Sequence, residues 1–355
     1  MSEKVVLTPV NTQEELCIKI LEYVQTHSPK LYILTPCFGG VCYVNYVQSM
    51  IATLELFHQF GFPIQFEFCK SDSLITRARN NLLAKAMADP EMTHILFIDN
   101  DLMWNPMNIL KMILAEKGIL GGIYPLKKYD WSRLIGDRDD VPVGDRRSSD
   151  HEGYAFAKQQ KPSDQTSPDA SHPHKLVVEG LRPSDQTRSV AKLPAELVVE
   201  GFQPSDQNKI EEWLHKRDQS LLKTYVPDDV MIQSRLLSFN VNYLGNHLEI
   251  DENLAKVRHI PTGFMLIQRS TIEKMHESFT ETKYTDDVGF LTLEENKYAY
   301  ALFECGVREG HYFSEDWMFC ERWIQLEGDI WADVSISLTH TGIEDYRGSY
   351  IASLL

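Results

Sequence analysis

Apolar and polar positions over the first 125 residues follow two rhythms, the 3.6-residue period of helices and the short runs or alternation of strands. Thr12-Gln13-Glu14-Glu15 ahead of Leu16, Ile20 and Val24 reads as a capped amphipathic helix. Residues 31–34 are a short apolar run ending in Thr35-Pro36, a strand that enters a loop. Residues 43–60 carry a helical pattern that stops at Gly61. Residues 64–68 alternate as a strand, and 73–88 read as a second helix. His94–Ile98 is continuously apolar, as a strand covered on both faces must be. Asn105-Pro106 opens a further helix with proline at its first position, and 119–124 is the next strand. This alternation predicts an α/β fold with a mostly parallel central sheet and helices on both faces.

Between about 130 and 230 the pattern changes, and Asp, Ser, Pro, Gln and Lys dominate. Pro-Ser-Asp-Gln recurs there at Pro162, Pro183 and Pro204, a fixed spacing of 21 residues. Three imperfect copies with so few apolar positions cannot build a stacked solenoid core, so a poorly ordered surface insertion is expected. Ordered patterning returns near Leu236. Residues 264–267 read as a strand, and Ser270 to Glu273 as a capping box that opens a helix. Residues 298–303 form another apolar run. Ser314 is the expected N-cap of a helix through Gln325, closed by Gly328, after which 329–334 leads into the C-terminal segment. The chain thus divides into 1–129, a repeat-bearing insertion at 130–230, and 231–355, with the outer parts forming one domain.

Composition narrows the possibilities. With 35 Lys+Arg against 51 Asp+Glu the net charge is −16, which disfavours a phosphate-tracking nucleic-acid binder and docking on anionic lipid. No stretch has the ~20 consecutive apolar residues of a membrane span, and the N-terminus has no signal-like run, so a cytoplasmic protein is expected. Six scattered cysteines without a CxxC suggest neither a disulfide framework nor a zinc site. No motif supports Cys37 as a nucleophile.

Candidate chemistry gathers at four places. Asp99-Asn100-Asp101 directly follows the buried strand His94–Ile98, and ligands of parallel sheets bind beyond the carboxyl ends of strands. Two carboxylates so close repel unless a cation or donor lies between them. Oxygen ligands of this kind suit Mg2+ or Mn2+. In the stretch from Ser71 to Asn80, about 100° per residue places Ala78, Arg79, Leu82 and Ala86 on the side of Ile75, with Arg77 opposite. Arg79 is therefore a cation on an apolar face and needs a partner. It is either a structural ion pair with Asp99 or Asp72, or a diphosphate clamp or orienter of the Asp-Asn-Asp loop, and the roles are compatible. Glu315-Asp316 starts a helix, whose dipole favours the ionised form. One of the two is a candidate base toward an attacking hydroxyl. His340, after the strand-like stretch 334–338, is a metal candidate, and the loop Thr35-Pro36 to Gly40 lacks the lysine ending of a P-loop.

Taken in order, the Thr35-Pro36 loop, SLITRARN, FIDND, Pro261-Thr262-Gly263-Phe264-Met265, SEDWMFCERW and His340 resemble a GT-A-type, metal-dependent glycosyltransferase over roughly 31–127 and 236–345. The resemblance implies that residues 1–129 bind a nucleoside-diphosphate sugar and 231–355 hold the acceptor and the catalytic groups. It implies that Asp101 and His340 ligate Mn2+ or Mg2+, with Asp99 on the ribose or in the metal shell. Thr35, Pro36, Asp72, Arg77, Arg79, Asn80 and Asn100 would serve the donor, and Gly263 and Phe264 the sugar and acceptor pocket. Asp316, or Glu315, would act on a glycan or other hydroxyl acceptor, and the adjacent carboxylates favour inversion. Two rival readings remain: a metal-dependent nucleotidyltransferase, and a non-catalytic surface or assembly protein acting through its repeats.

Overall fold

The computed structural model describes residues 13–134, 228–245, 248–251 and 253–353. The 21-residue repeats and nearly all of the 130–230 segment lie outside the described residues. In chain order the elements begin α1 (Gln13–His27), β1 (Leu31–Cys37), α2 (Val44–Gln59), β2 (Ile64–Lys70), α3 (Ile75–Met87) and β3 (His94–Ile98). There follow β4 (Leu102–Met103), α4 (Pro106–Leu114), β5 (Ile119–Gly122) and β6 (Pro125–Tyr129). After the insertion come α5 (Asp228–Leu236), β7 (Leu237–Phe239), β8 (Ile250–Asp251), β9 (Leu254–Val257), β10 (Phe264–Gln268) and α6 (Arg269–Ser278). The chain continues through β11 (Gly306–Arg308), β12 (His311–Phe313), α7 (Glu315–Gln325) and β13 (Ile330–Asp333). It closes with β14 (Leu338–Thr341), β15 (Asp345–Gly348) and α8 (Tyr350–Ser353).

The central sheet has the order β2-β1-β3-β10-β5-β13-β9-β8. Strands β1, β2 and β3 are mutually parallel, as are β5 and β13, while β10 runs antiparallel between β3 and β5. Both faces are covered, so the central strands β1, β3, β5 and β10 are almost wholly buried. On one face Tyr32, Leu34, Ile95, Phe97 and Met265 pack with Ala78 and Leu82 of α3, Ile272 of α6 and Phe319 of α7. On the other, Leu31, Ile33, Leu96, Ile98 and Leu266 meet Ile20 of α1, Phe57 of α2 and Ile109 of α4. Successive strand residues thus serve opposite cores, as the pleat requires. No helix among the described residues is long and apolar enough to cross a membrane.

Two local expectations are corrected, and one apolar run takes an irregular path. Helix α6 begins at Arg269, so Ser270 is inside it and forms no cap. Its start is set by neighbouring backbone, with Gln268 N–H bonded to Gly118 O and Arg269 N–H to Thr93 O. The apolar run 298–303 is not a strand. Ala299, Leu302 and Phe303 are buried; the run makes a single bridge to Lys283, and the rest of its backbone is held largely by side chains, Asn80 on both polar groups of Phe303 and Arg322 on the carbonyls of Ala301 and Leu302. His340 lies within strand β14 rather than after one, because β14 pairs with β4 and β15.

Candidate functional site

The site grows from the carboxyl end of β3. Because β10 is antiparallel to β3 and Phe264 registers with Ile98, the residue before β10 falls beside the residue after β3. Asp99 N–H accordingly donates to Gly263 O at 3.0 Å. Glycine is required there, since a Cβ at 263 would overlap the Tyr124 hydroxyl and stand 2.6 Å from Asp99 Oδ2. From α3, Arg79 reaches under this junction. Its Nη2 donates to Asp99 Oδ1 at 3.0 Å and its Nε to Glu315 Oε1 at 3.3 Å, and the guanidinium carbon lies 5.6 Å from the centre of the Phe97 ring. The side chain is 5% exposed. Burial alone opposes the charge, but Asp99 and Glu315 outweigh it and raise the guanidinium pKa. Of the expected partners, Asp99 is realised and Asp72 is not. Two carboxylates thus balance its charge, while its Nη1 has no hydrogen-bond partner.

The second half of the site is built by β4 and β14. Their antiparallel pairing sets His340 opposite Leu102, and Thr341 N–H donates to Asp101 O at 2.8 Å. His340 Nδ1 lies 2.8 Å from Pro125 O, an atom that only accepts, so Nδ1 carries the proton. Nε2 then faces Asp101 Oδ1 at 3.5 Å, and Oδ1 is buried without a hydrogen-bond partner. The two atoms face each other across a gap that a proton or a metal ion would fill. The other oxygen, Oδ2, accepts from Lys127 Nζ at 2.5 Å. Burial pushes the Asp101 carboxyl up, but His340 and Lys127 outweigh it and hold the group below the usual carboxylate range. Among the described residues no three His, Cys, Asp or Glu side chains converge on one point. Asp99 is turned to Arg79, so the protein offers two ligands, Asp101 and His340. The Asp101 carboxylate suits a Mg2+- or Mn2+-like ion, which commonly takes one or two carboxylates and completes its shell with water and substrate oxygens.

Helix α7 begins as expected after Ser314. Asp316 Oδ1 accepts from the Ser314 hydroxyl and from Trp317 N–H, leaving Oδ2 without a hydrogen bond to described residues. The expected effect of the helix dipole is overridden. Asp316 is 8% exposed, and burial followed by the charge of Glu315 raises its carboxyl to about 6. Glu315 is committed to Arg79, so the two adjacent carboxylates have different surroundings.

Several other expected ligands are engaged within the protein. The Thr35 hydroxyl is buried against Tyr46 Oη at 2.6 Å, and Pro36 is within β1, in register with Cys69. Asp72 receives Arg77 through both Nε and Nη2 at 2.8 Å and the N–H of Leu74, holding the entry to α3. Asn80 is buried and bonded both ways to Phe303, and Phe264 packs in the core 6.4 Å from the Trp104 ring. Asn100 pins the loop after β1, donating to Val41 O while its own carbonyl accepts from Tyr43 N–H. Residue chemistry alone did not single out Tyr124 or Lys127. Tyr124 lies beside Gly263, with its ring centre 5.1 Å from that of His340; burial and then Asp99 hold its phenol well above the ordinary range. Both follow β5, at a strand end where ligands of such sheets bind, and that position is the signal that could have found them.

No family model and no curated protein matches the chain. Among solved structures it is similar to A197 from STIV, at 9% identity and a TM-score of 0.37 over 88% of this chain and 86% of that one.

Proposed function

We propose that this chain is a divalent-metal-dependent glycosyltransferase of the GT-A type, moving a sugar from a nucleoside-diphosphate sugar to an acceptor hydroxyl with inversion. The observation that carries the reading is the pairing of Asp101 Oδ1 with His340 Nε2 at the carboxyl edge of the sheet, a carboxylate oxygen and an imidazole nitrogen 3.5 Å apart. A Mn2+ or Mg2+ ion bound there supplies charge neutralisation to the leaving diphosphate. The protein's own groups divide the remaining work. Arg79 holds Asp99 and Glu315 in place rather than clamping phosphate. Asp316, raised to about 6, is largely ionised at neutral pH yet more basic than an ordinary carboxylate, and its unbonded Oδ2 is suited to take the proton of the acceptor hydroxyl.

The test is a thermal-shift screen of UDP, GDP and dTDP, each with and without Mn2+, followed by product analysis with the matching sugar nucleotides. A ligand of the native state raises the apparent melting temperature. The reading expects one nucleoside diphosphate to stabilise the protein only with metal, and sugar transfer to release that diphosphate. Release of pyrophosphate would instead indicate a nucleotidyltransferase. Deleting 136–230 should leave nucleotide binding intact, whereas an assembly protein acting through its repeats would show no nucleotide effect at all.

A further inference from the structure

The two oxygens of Asp101 are in unequal positions. Oδ1 is buried, faces His340 Nε2 and has no hydrogen-bond partner. Oδ2 is held by the ammonium of Lys127. Lys127 is guided to that contact along its whole length. It leaves β6 and passes over Gly342, where a Cβ would stand 3.0 Å from Lys127 Cδ. Its Nζ lies 5.7 Å from the centre of the Tyr43 ring. The side chain is 32% exposed, so its charged end has a route to water that the side chain of Asp101, 18% exposed, lacks. A lysine can swing on its long flexible stem at little cost, and the short side chain of Asp101 has far less reach.

A divalent ion seated between Asp101 Oδ1 and His340 Nε2 would share one carboxylate with this ammonium, and the two cations repel at such range. We propose that Lys127 is a built-in competitor of the metal ion. It neutralises Asp101 in the metal-free protein, is displaced toward solvent when the ion binds, and so sets the metal affinity of the site. The inference rests on the metal reading given under Proposed function, but it concerns the free protein and requires no nucleotide.

The test is direct titration of the full chain with Mn2+ alone, following free Mn2+ by electron paramagnetic resonance, at fixed pH and ionic strength. The variants are Lys127→Met, Lys127→Gln, Lys127→Arg and Asp101→Asn, each checked for native circular dichroism. Lys127→Met and Lys127→Gln should bind Mn2+ about tenfold or more tighter than wild type, an order of magnitude being roughly 1.4 kcal/mol. Lys127→Arg keeps the charge and should stay within a few-fold of wild type. Asp101→Asn should lose the site. Unchanged or weaker Mn2+ binding in both neutral variants overturns the inference, as does Mn2+ binding that survives Asp101→Asn. So does an absence of Mn2+ binding in wild type and neutral variants alike. Failure of every nucleoside diphosphate to bind would overturn the glycosyltransferase reading and leave the competition result standing.

Discussion

His340 and Asp101 are 239 positions apart in the chain, yet the pairing of β14 with β4 leaves His340 Nε2 facing Asp101 Oδ1 at 3.5 Å. The hydrogen bond from His340 Nδ1 to Pro125 O fixes the ring so that Nε2 points at the carboxylate. Orientation of an imidazole by a carbonyl on its far nitrogen is the usual support for a metal-binding histidine.

Asp101→Ala and His340→Ala are therefore expected to remove Mn2+-dependent stabilisation while leaving the fold intact. Transfer should be abolished in Asp101→Ala and in wild type treated with a chelator. Calorimetric titration with Mn2+ and a product assay check the two halves of this statement, and full activity in chelator would exclude the metal role.

Arg79 is buried against Asp99 and Glu315, and removing it strands both carboxylates. Arg79→Ala should lower stability by about 3–5 kcal/mol, the range for breaking a buried ion pair. Arg79→Lys keeps the charge without the planar fork, so it cannot hold both partners in the same geometry. Its stability loss should be smaller, but turnover should fall with it. Urea denaturation and kinetics separate the effects: a stable Arg79→Lys with wild-type turnover would show that the fork positions nothing.

Asp316 links activity to stability with opposite signs. A carboxyl raised from 3.8 to about 6 favours its protonated form in the folded state. Its contribution to stability is fully present below pH 3.8 and is lost as pH rises through about 6. Asp316→Asn removes that loss and should raise stability at pH 7.5 by on the order of 1–3 kcal/mol, with little change near pH 4. If Asp316 is the base, the same substitution lowers kcat by about 10²–10⁴. Wild-type turnover should climb with pH through about 6, and Glu315→Gln should be milder in turnover. Melting curves at the two pH values and a pH–rate profile check these expectations; equal turnover in wild type and Asp316→Asn would remove Asp316 as base.

Gly263→Ala tests the junction of β3 and β10. The added methyl meets the Tyr124 hydroxyl and Asp99 Oδ2, so one of them must move. The expected cost is about 1–3 kcal/mol, as for overpacking elsewhere. Tyr124→Phe removes the overlapping hydroxyl and should recover part of the loss in the double variant. Additive losses in a denaturation-based double-mutant cycle would mean that the clash lies elsewhere.

The local parts of this protein were legible in its sequence because they depend on neighbours a few positions apart. The unbroken apolar run 94–98 could only be a strand buried on two faces, and the structure has β3 at those bounds. Asn105-Pro106 caps α4 through a hydrogen bond to Met107 N–H, and Ser314 precedes α7. The helical period also put Arg79 on an apolar face, which demanded a partner without saying which. That choice, and most of the site, was made by tertiary structure. Sheet order brings Glu315 to Arg79 across 236 positions, and strand pairing brings His340 to Asp101. The insertion of antiparallel β10 places Gly263 against Asp99, which no periodicity encodes. The same holds for chemistry. A helix start argues for an ionised Asp316, yet desolvation raises its carboxyl to about 6. Burial is a property of the packed layers, whereas the dipole belongs to the local chain. Asn80, Thr35 and Phe264 looked like ligand groups from their neighbours in sequence. In the fold Thr35 is bonded to Tyr46 eleven positions on, Asn80 to Phe303 across 223 positions, and Phe264 packs near Trp104, partners that local pattern does not reveal.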